Sequence, residues 1–246
     1  MRGYEVPEAS RTARGIPVVN LVEVEPDDRV TAVVAVSTFE RDSMILATAQ
    51  GEVKRTPLSQ FESVRRSGLI AMNLPDGDEL IAAGAAPDAG DVMLISSDGQ
   101  AIRFGVDVLR VASRASGGVR GMKVGAGARV IAMVVAGDGE DLLVVSERGI
   151  GKRTAIAEYP QKGRGGQGVL SFRVTPRSGP LAVAMVLNPA HELILVSREG
   201  IVMRTRADLI SQQGRATQGV SVMNVGDDDT VASVAQIDLG AGTSGA

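Results

Sequence analysis

The residues best suited to ligand chemistry in this sequence lie in one glycine-rich stretch, residues 161–168. Glycine adopts positive φ at little cost and lets another backbone or a phosphate come close. Lysine and arginine add positive charge, and the planar arginine fork suits phosphate oxygens. The stretch therefore predicts a phosphate-contacting loop, and a solvated hairpin end is the alternative. Its candidate contact residues are Lys162, Gly163, Arg164, Gly165, Gly166, Gln167 and Gly168.

Further basic residues recur at two fixed positions of an internal repeat. One set stands four residues after a strand-turn glycine, and it comprises Arg55, Arg103, Arg153 and Arg204. The other set stands four residues before a second glycine and comprises Arg11, Arg114, Arg164 and Arg215, with Arg65 and Arg66 near that position in the remaining repeat. Lys54 and Lys152 adjoin the first set, so only one residue of each pair can face a given side of a strand. Stacked radially, these positions predict a basic belt, whereas single solvated arginines at strand edges are the alternative.

The repeat itself predicts the fold. Four apolar runs each end in a polar pair and glycine, at Gly51, Gly99, Gly149 and Gly200, with spacings of 48, 50 and 51 residues. Such runs are typical of a strand followed by a turn. A period near 50 with short strands indicates an all-β, propeller-like disc of four-stranded blades. Only residues 56–64, 155–159 and 206–211 offer a turn of helix.

The chain is predicted to hold four full repeats and one partial repeat. The second half of each repeat contains another apolar strand, such as 29–36 in the first repeat and 79–83 in the next. Residues 240–246 contain little to bury, and we expect a disordered tail there. The predicted repeats of the domain at 1–239 span about 1–40 (partial), 41–90, 91–139, 140–190 and 191–239.

Composition narrows the class of function. The net charge is −3, so a polyanion partner would have to meet charge segregated on one surface. The chain contains no Cys and a single His, His191, and we identify no catalytic or metal-ligating set. Few aromatic residues are available for stacking on single strands, which favours duplex phosphate binding. The first residues lack a signal peptide's apolar region and no run is long enough to span a membrane, so we expect a cytoplasmic protein.

Several of these motifs together resemble the C-terminal domain of the DNA gyrase A protein and, less closely, that of topoisomerase IV. The resemblance rests on residues 7–15 (which include Arg14), 51–56, 96–104, 152–154 and the glycine-rich stretch, and it covers residues 1 to about 239. It implies a β-pinwheel whose blades exchange strands and whose basic rim wraps duplex DNA, supporting ATP-dependent negative supercoiling. It also implies partnership with the rest of the gyrase A protein and with the gyrase B protein in an A2B2 assembly, and association with the nucleoid. The ATP and Mg²⁺ sites of that family lie in other domains or proteins of the assembly, so no cofactor is expected here.

The sequence departs from the family's pattern in two ways. The gyrase box Q-[RK]-R-G-G-K-G of the first blade is missing, so the chain resembles a fragment without that blade. The later, box-like stretch has Lys162 where the family has Gln and Gln167 where it has Lys. The favoured function is wrapping of duplex DNA without sequence specificity. The alternatives are a propeller-like protein-interaction module, a topoisomerase IV-type domain that steers DNA substrate choice, and a regulatory or inactive fragment.

Overall fold

The computed structural model describes residues 5–8, 10, 12–23, 29–40, 42–63, 68–137 and 139–237. Within these ranges the fold is all-β, as predicted. Short 3-10 turns at Val18–Asn20, Leu58–Phe61, Val106–Val108, Ile156–Glu158 and Ala207–Leu209 are the helices of the described ranges, and none of them could cross a membrane. The strands are β1 (Ser43–Thr48), β2 (Glu52–Pro57), β3 (Leu80–Ala86), β4 (Asp91–Ser96), β5 (Gln100–Gly105), β6 (Val119–Arg120), β7 (Val130–Ala136), β8 (Asp141–Ser146), β9 (Ile150–Ala155), β10 (Val169–Leu170), β11 (Leu181–Leu187), β12 (Glu192–Ser197), β13 (Val202–Arg206), β14 (Val220–Ser221) and β15 (Val231–Ile237).

Each predicted strand-turn run forms the first strand of a hairpin. The pairs β1–β2, β4–β5, β8–β9 and β12–β13 are antiparallel. The glycine at each turn has a positive φ, between +74° at Gly149 and +88° at Gly51, a conformation that other residues adopt only at a cost. The turn glycines therefore set the register of every hairpin.

The sheets exchange strands in the manner of a pinwheel. The strand orders are β3-β1-β2-β6, β7-β4-β5-β10, β11-β8-β9-β14 and β15-β12-β13. In the first three sheets the inner and middle strands come from one repeat, and the outer strand (β6, β10 or β14) comes from the repeat that follows. The fold class that we predicted is confirmed. Within the described residues the last sheet has three strands rather than the expected four, and in each of the other sheets the outer strand is supplied by the following repeat.

The core is divided among the spaces between neighbouring sheets. Alternate residues of β4 face opposite ways: Val92 and Leu94 pack towards the first sheet, while Met93 and Ile95 pack towards the third. The third and fourth sheets enclose a separate cluster that includes Leu195. Each of the two middle sheets is thus buried on both faces by its neighbours, and the inner strands β3, β7, β11 and β15 contact one another in sequence.

One predicted strand is absent from the described residues. Residues 29–36 were expected to form the inner strand of the first repeat, but they carry no strand and Val33 is 90% exposed. Every observed inner strand pairs with the first strand of its own hairpin. The described residues before position 29 contain no hairpin that could provide this pairing. The predicted tail at 240–246 lies outside the described residues, as do Arg11, Arg65 and Arg66.

Candidate nucleic-acid interface

Three equivalent loops run along the outer edges of the first three sheets. We call them the rim loops: residues 111–118, the glycine loop 161–168, and residues 212–219. Each begins with a parallel bridge to the second hairpin strand of the preceding repeat, as between Arg103 and Gln161, and ends in an outer strand paired with that same strand. The repeat therefore places the three loops at the rim, farthest from the inner strands.

Two glycines of the glycine loop are required by the fold itself. Gly168 has a φ of +87°, and a Cβ there would lie 2.2 Å from the carbonyl oxygen of Ala101. Gly165 has a φ of +85°. By contrast, a Cβ on Gly163 would meet nothing within 4 Å, and one on Gly166 would only reach ordinary contact distance. Gly163 and Gly166 therefore leave room for a ligand to approach the backbone, and the fold does not otherwise require glycine there.

The polar side chains of the glycine loop are exposed. Lys162, Arg164 and Gln167 are all open to solvent, as predicted for a contact surface. The backbone N–H of Lys162 donates to the carbonyl of Arg103 at 2.8 Å, which anchors the start of the loop. The Arg164 guanidinium donates to the carbonyl of Arg120 at 3.1 Å and retains further donors for a phosphate.

The structure adds basic residues that the sequence analysis missed. Arg120 and Lys123 are exposed beside the glycine loop, and the Lys123 N–H donates to the Gly166 carbonyl at 2.9 Å. Arg173 occupies the equivalent position one repeat later, where its N–H donates to the Thr217 carbonyl at 2.9 Å. The sequence pattern that could have identified Lys123 and Arg173 is their spacing of 50 residues, equal to the repeat. No third repeat has a basic residue at the equivalent position, so the pattern was not recognised.

The other two rim loops each present one arginine at the equivalent position. Arg114 donates through its guanidinium to the carbonyl of Ile70 at 3.3 Å, the counterpart of the Arg164 contact. The backbone N–H of Arg114 donates to the Gln60 side chain at 3.0 Å, and that of Arg215 donates to the Glu158 carboxylate at 3.3 Å. These two arginines are therefore held at their backbones, and both residues are half-exposed.

The arginines of the hairpin strands have a different environment from the predicted exposed belt. Arg103 forms an ion pair with Asp91 at 2.6 Å and donates to the carbonyls of Ile156 and Tyr159 in the next repeat at 3.2 and 3.4 Å. Its side chain is 17% exposed. We call this arrangement the interblade latch, because it joins a hairpin to the 3-10 turn of the following repeat. Equivalent latches are formed by Arg55 with Asp88, Ser43, Val106 and Leu109, and by Arg153 with Asp141 and Ile210.

The two lysines beside the latches are also buried. Lys54 and Lys152 are 2% and 0% exposed, so the expectation that they lie on the surface of the belt is corrected. Burial lowers the pKa of Lys54, and the charge of Arg114 lowers it further. Burial lowers the pKa of Lys152 to about 8, a shift that Glu158 opposes and Arg215 reinforces. Both ammonium groups donate to backbone carbonyls of the next rim loop.

The remaining predicted contact residues are Arg14 and Arg204. Arg14 is exposed. Arg204 is paired with Glu192, but its side chain is 61% exposed, unlike the latch arginines of the other repeats. The predicted set thus divides into rim residues that a polyanion could reach and buried residues that hold neighbouring repeats together.

Comparison with known proteins gives the family. The family model described as "DNA gyrase C-terminal domain, beta-propeller" matches residues 1–37, 42–87, 90–136, 140–177 and 191–238. The DNA gyrase A protein of Dehalogenimonas lykanthroporepellens is 43% identical over 240 residues, covering 94% of this chain and 30% of the relative. The Escherichia coli counterpart is 39% identical over 239 residues, covering 96% of this chain and 27% of the relative. The chain thus spans less than a third of the length of these relatives.

Solved structures agree on the fold. The C-terminal domain of DNA topoisomerase IV superposes with a TM-score of 0.87 at 20% identity, over 96% of this chain and 74% of that one. A DNA gyrase A C-terminal domain superposes with a TM-score of 0.83 at 24% identity, over 97% and 78%. With five matched segments along the sequence and this fold, the chain belongs to the DNA gyrase C-terminal domain family.

Proposed function

We propose that this chain binds and bends duplex DNA along its rim, without reading base sequence. The observation that carries the proposal is the recurrence of one basic rim loop in three successive repeats. Among the cations in or beside these loops, we assign seven to the rim: Arg114, Arg120, Lys123, Lys162, Arg164, Arg173 and Arg215. Phosphate contacts of this kind supply affinity and orientation but carry no sequence information.

The distribution of charge supports a polyanion partner despite the net charge of −3. The acidic segments at 76–79 and 227–229 precede the inner strands β3 and β15. The rim loops precede the outer strands instead, at the other side of each sheet. The acidic segments have arginines against them, Arg129 on Glu79 and Arg148 on Asp227, whereas the cations of the rim loops lie at the opposite side of each sheet.

In the longer protein, the chain would act as the DNA-wrapping part of a gyrase A protein. The remainder of that protein and the gyrase B protein would supply DNA cleavage and ATP hydrolysis, with the Mg²⁺ and ATP sites in those parts. Wrapping would support negative supercoiling in a cytoplasmic, nucleoid-associated A2B2 assembly. The rim loops and interblade latches described above would contribute binding and curvature rather than bond-making chemistry.

The test is the salt dependence of binding to linear duplexes of unrelated sequence. If all seven rim cations neutralise phosphates, log K should fall against log salt with a slope of about −6. The affinities for two duplexes of equal length and different sequence should agree within about threefold. A slope near zero, or no binding at low salt, would favour the protein-interaction alternative.

A further inference from the structure

The rim loops differ in how firmly the backbone of their central arginine is held. Lys54 donates from Nζ to the carbonyl of Arg114 and to that of Ser116, the latter at 2.9 Å. It also donates to Ala71 at 2.9 Å, which accounts for all three ammonium protons. The lysine therefore lies beneath the first rim loop and fixes the peptide that carries its arginine.

The third rim loop repeats the arrangement. Lys152 donates from Nζ to the carbonyls of Gly214 and Arg215. The hairpin registers make Lys54 and Lys152 equivalent, since they lie opposite Leu46 and Val144 respectively. Two separate repeats thus place an ammonium under the arginine of the next loop.

The glycine loop lacks both supports of its central arginine. The residue equivalent to the lysines is Ile102, opposite Leu94 in its hairpin. The residue equivalent to Glu158, which accepts the N–H of Arg215, is Val108. Hydrocarbon side chains can make neither hydrogen bond. The glycine loop thus carries the most exposed charge of the described rim loops and lacks both side-chain supports of its arginine, while its backbone is held by the Gly165 N–H, which donates to the Gly121 carbonyl at 2.6 Å.

We propose that Lys54 and Lys152 are positioning residues that hold Arg114 and Arg215 ready for phosphate, while the glycine loop adapts its shape to the DNA. This inference rests on the proposed function. A fixed arginine binds phosphate without a further ordering cost, whereas an adaptable loop can follow a bent duplex. Two fixed contacts would thus flank one adaptable contact along the rim.

Lys54→Met tests the inference, because methionine already stands at the equivalent position 203 of the last blade. The change should weaken duplex binding by about 3- to 10-fold, the cost of ordering one long side chain. The salt slope should stay unchanged, because Lys54 itself meets no phosphate. Met203→Ala, which alters a blade with no described rim loop beyond it, is the control and should change the affinity by less than about twofold.

A double-mutant cycle separates positioning from mere stability. Arg114→Ala should reduce the steepness of the slope by about 0.9. In that background, Lys54→Met should weaken binding no further, because its effect passes through Arg114. An equal loss in both backgrounds, or a change of slope on Lys54→Met alone, would overturn the inference. If neither Arg114→Ala nor Lys162→Ala with Arg164→Ala alters binding, the proposed function itself fails.

Hydrogen exchange tests the same inference if Lys54→Met does not fold. In the parent, the amides of Arg114 and Arg215, which donate to side chains, should be about tenfold more protected than the amide of Arg164. Ile102→Lys would place an ammonium beneath the glycine loop, so protection of 163–167 should rise about tenfold. Equal protection of the three arginine amides in the parent, or no gain in the Ile102→Lys protein, would refute the inference.

Discussion

The guanidinium of Arg153 is buried against the carboxylate of Asp141, with side chains 9% and 5% exposed. The same guanidinium donates through Nε to the carbonyl of Ile210 in the next repeat at 2.9 Å. The second oxygen of Asp141 accepts from Gln212 at 2.9 Å, also in the next repeat. The ion pair itself lies within one hairpin, and these two hydrogen bonds link it to the next repeat.

Arg153→Ala should lower the free energy of unfolding by about 3–5 kcal/mol, because it leaves the buried Asp141 carboxylate without its cation. Arg204→Ala provides the matched control in the last blade, where the arginine is 61% exposed. An exposed pair contributes little, so that change should lower the free energy by less than about 1 kcal/mol. Urea titrations measure both values. Equal losses in the two variants would contradict the structural role of the latch.

The depressed pKa of Lys152 predicts a pH dependence of stability. The pKa of about 8 in the fold lies below the ordinary lysine value of 10.5, so between these values the unfolded chain holds a proton that the fold has released. The contribution of Lys152 to the free energy of unfolding should therefore rise as pH increases from 8 towards 10.5. Unfolding titrations of the parent and Lys152→Met at several pH values from about 7 to about 9.5 measure this contribution as their difference.

Subtracting the Lys152→Met values from those of the parent also cancels the pH dependence contributed by other titratable groups. Burial raises the pKa of Tyr159, and this residue is present in both proteins, as is Lys54. Glu158 and Arg215 are the charged groups that influence Lys152, and both remain in the variant. A difference that stays flat or falls across this pH range would show that the Lys152 pKa is not depressed.

Much of the fold could be predicted from the sequence because the repeat marks its turns with glycine. Gly51 and its three counterparts mark the turns of the hairpins, and the repeat of about 50 residues marks the blades. The burial of Lys54 and Arg55 could not be predicted. It depends on hydrogen bonds to backbone carbonyls of the next repeat rather than on any local sequence pattern. The same holds for Lys123, whose proximity to the glycine loop arises from strand exchange.

The glycine-loop cations should each contribute to the salt dependence of DNA binding. Lys162→Ala with Arg164→Ala should reduce the steepness of the slope by about 2, and Arg120→Ala with Lys123→Ala should do the same. The second pair is the stronger check, since the structure alone brings it to the loop. Arg153→Ala should leave the slope unchanged in protein that remains folded. Fluorescence anisotropy at several salt concentrations measures all three slopes, and a reduced slope for Arg153→Ala alone would place the contact at the latches instead.

Gly163→Ala with Gly166→Ala should impair bending of DNA more than binding. A methyl group at either position meets open space or ordinary contacts, and neither φ is positive, so the fold should tolerate both changes. The new methyl groups would instead obstruct a duplex that approaches the loop backbone, while Lys162 and Arg164 keep their charge. Bending a 20–30 bp site by 40–90° costs roughly 1–6 kcal/mol, so losing the closest contact should reduce the bend first.

Energy transfer between dyes at the duplex ends measures the bend, and anisotropy of the same duplex measures the affinity. Gly226→Ala is the control, because a Cβ there also meets nothing within 4 Å and the residue lies in the acidic turn before β15. That change should alter neither quantity. Gly165→Ala is less informative, because its φ of +85° would strain the fold whatever the DNA does. If the Gly163 and Gly166 double variant binds and bends DNA like the parent, the glycine loop is a solvated connection and the duplex meets the rim elsewhere.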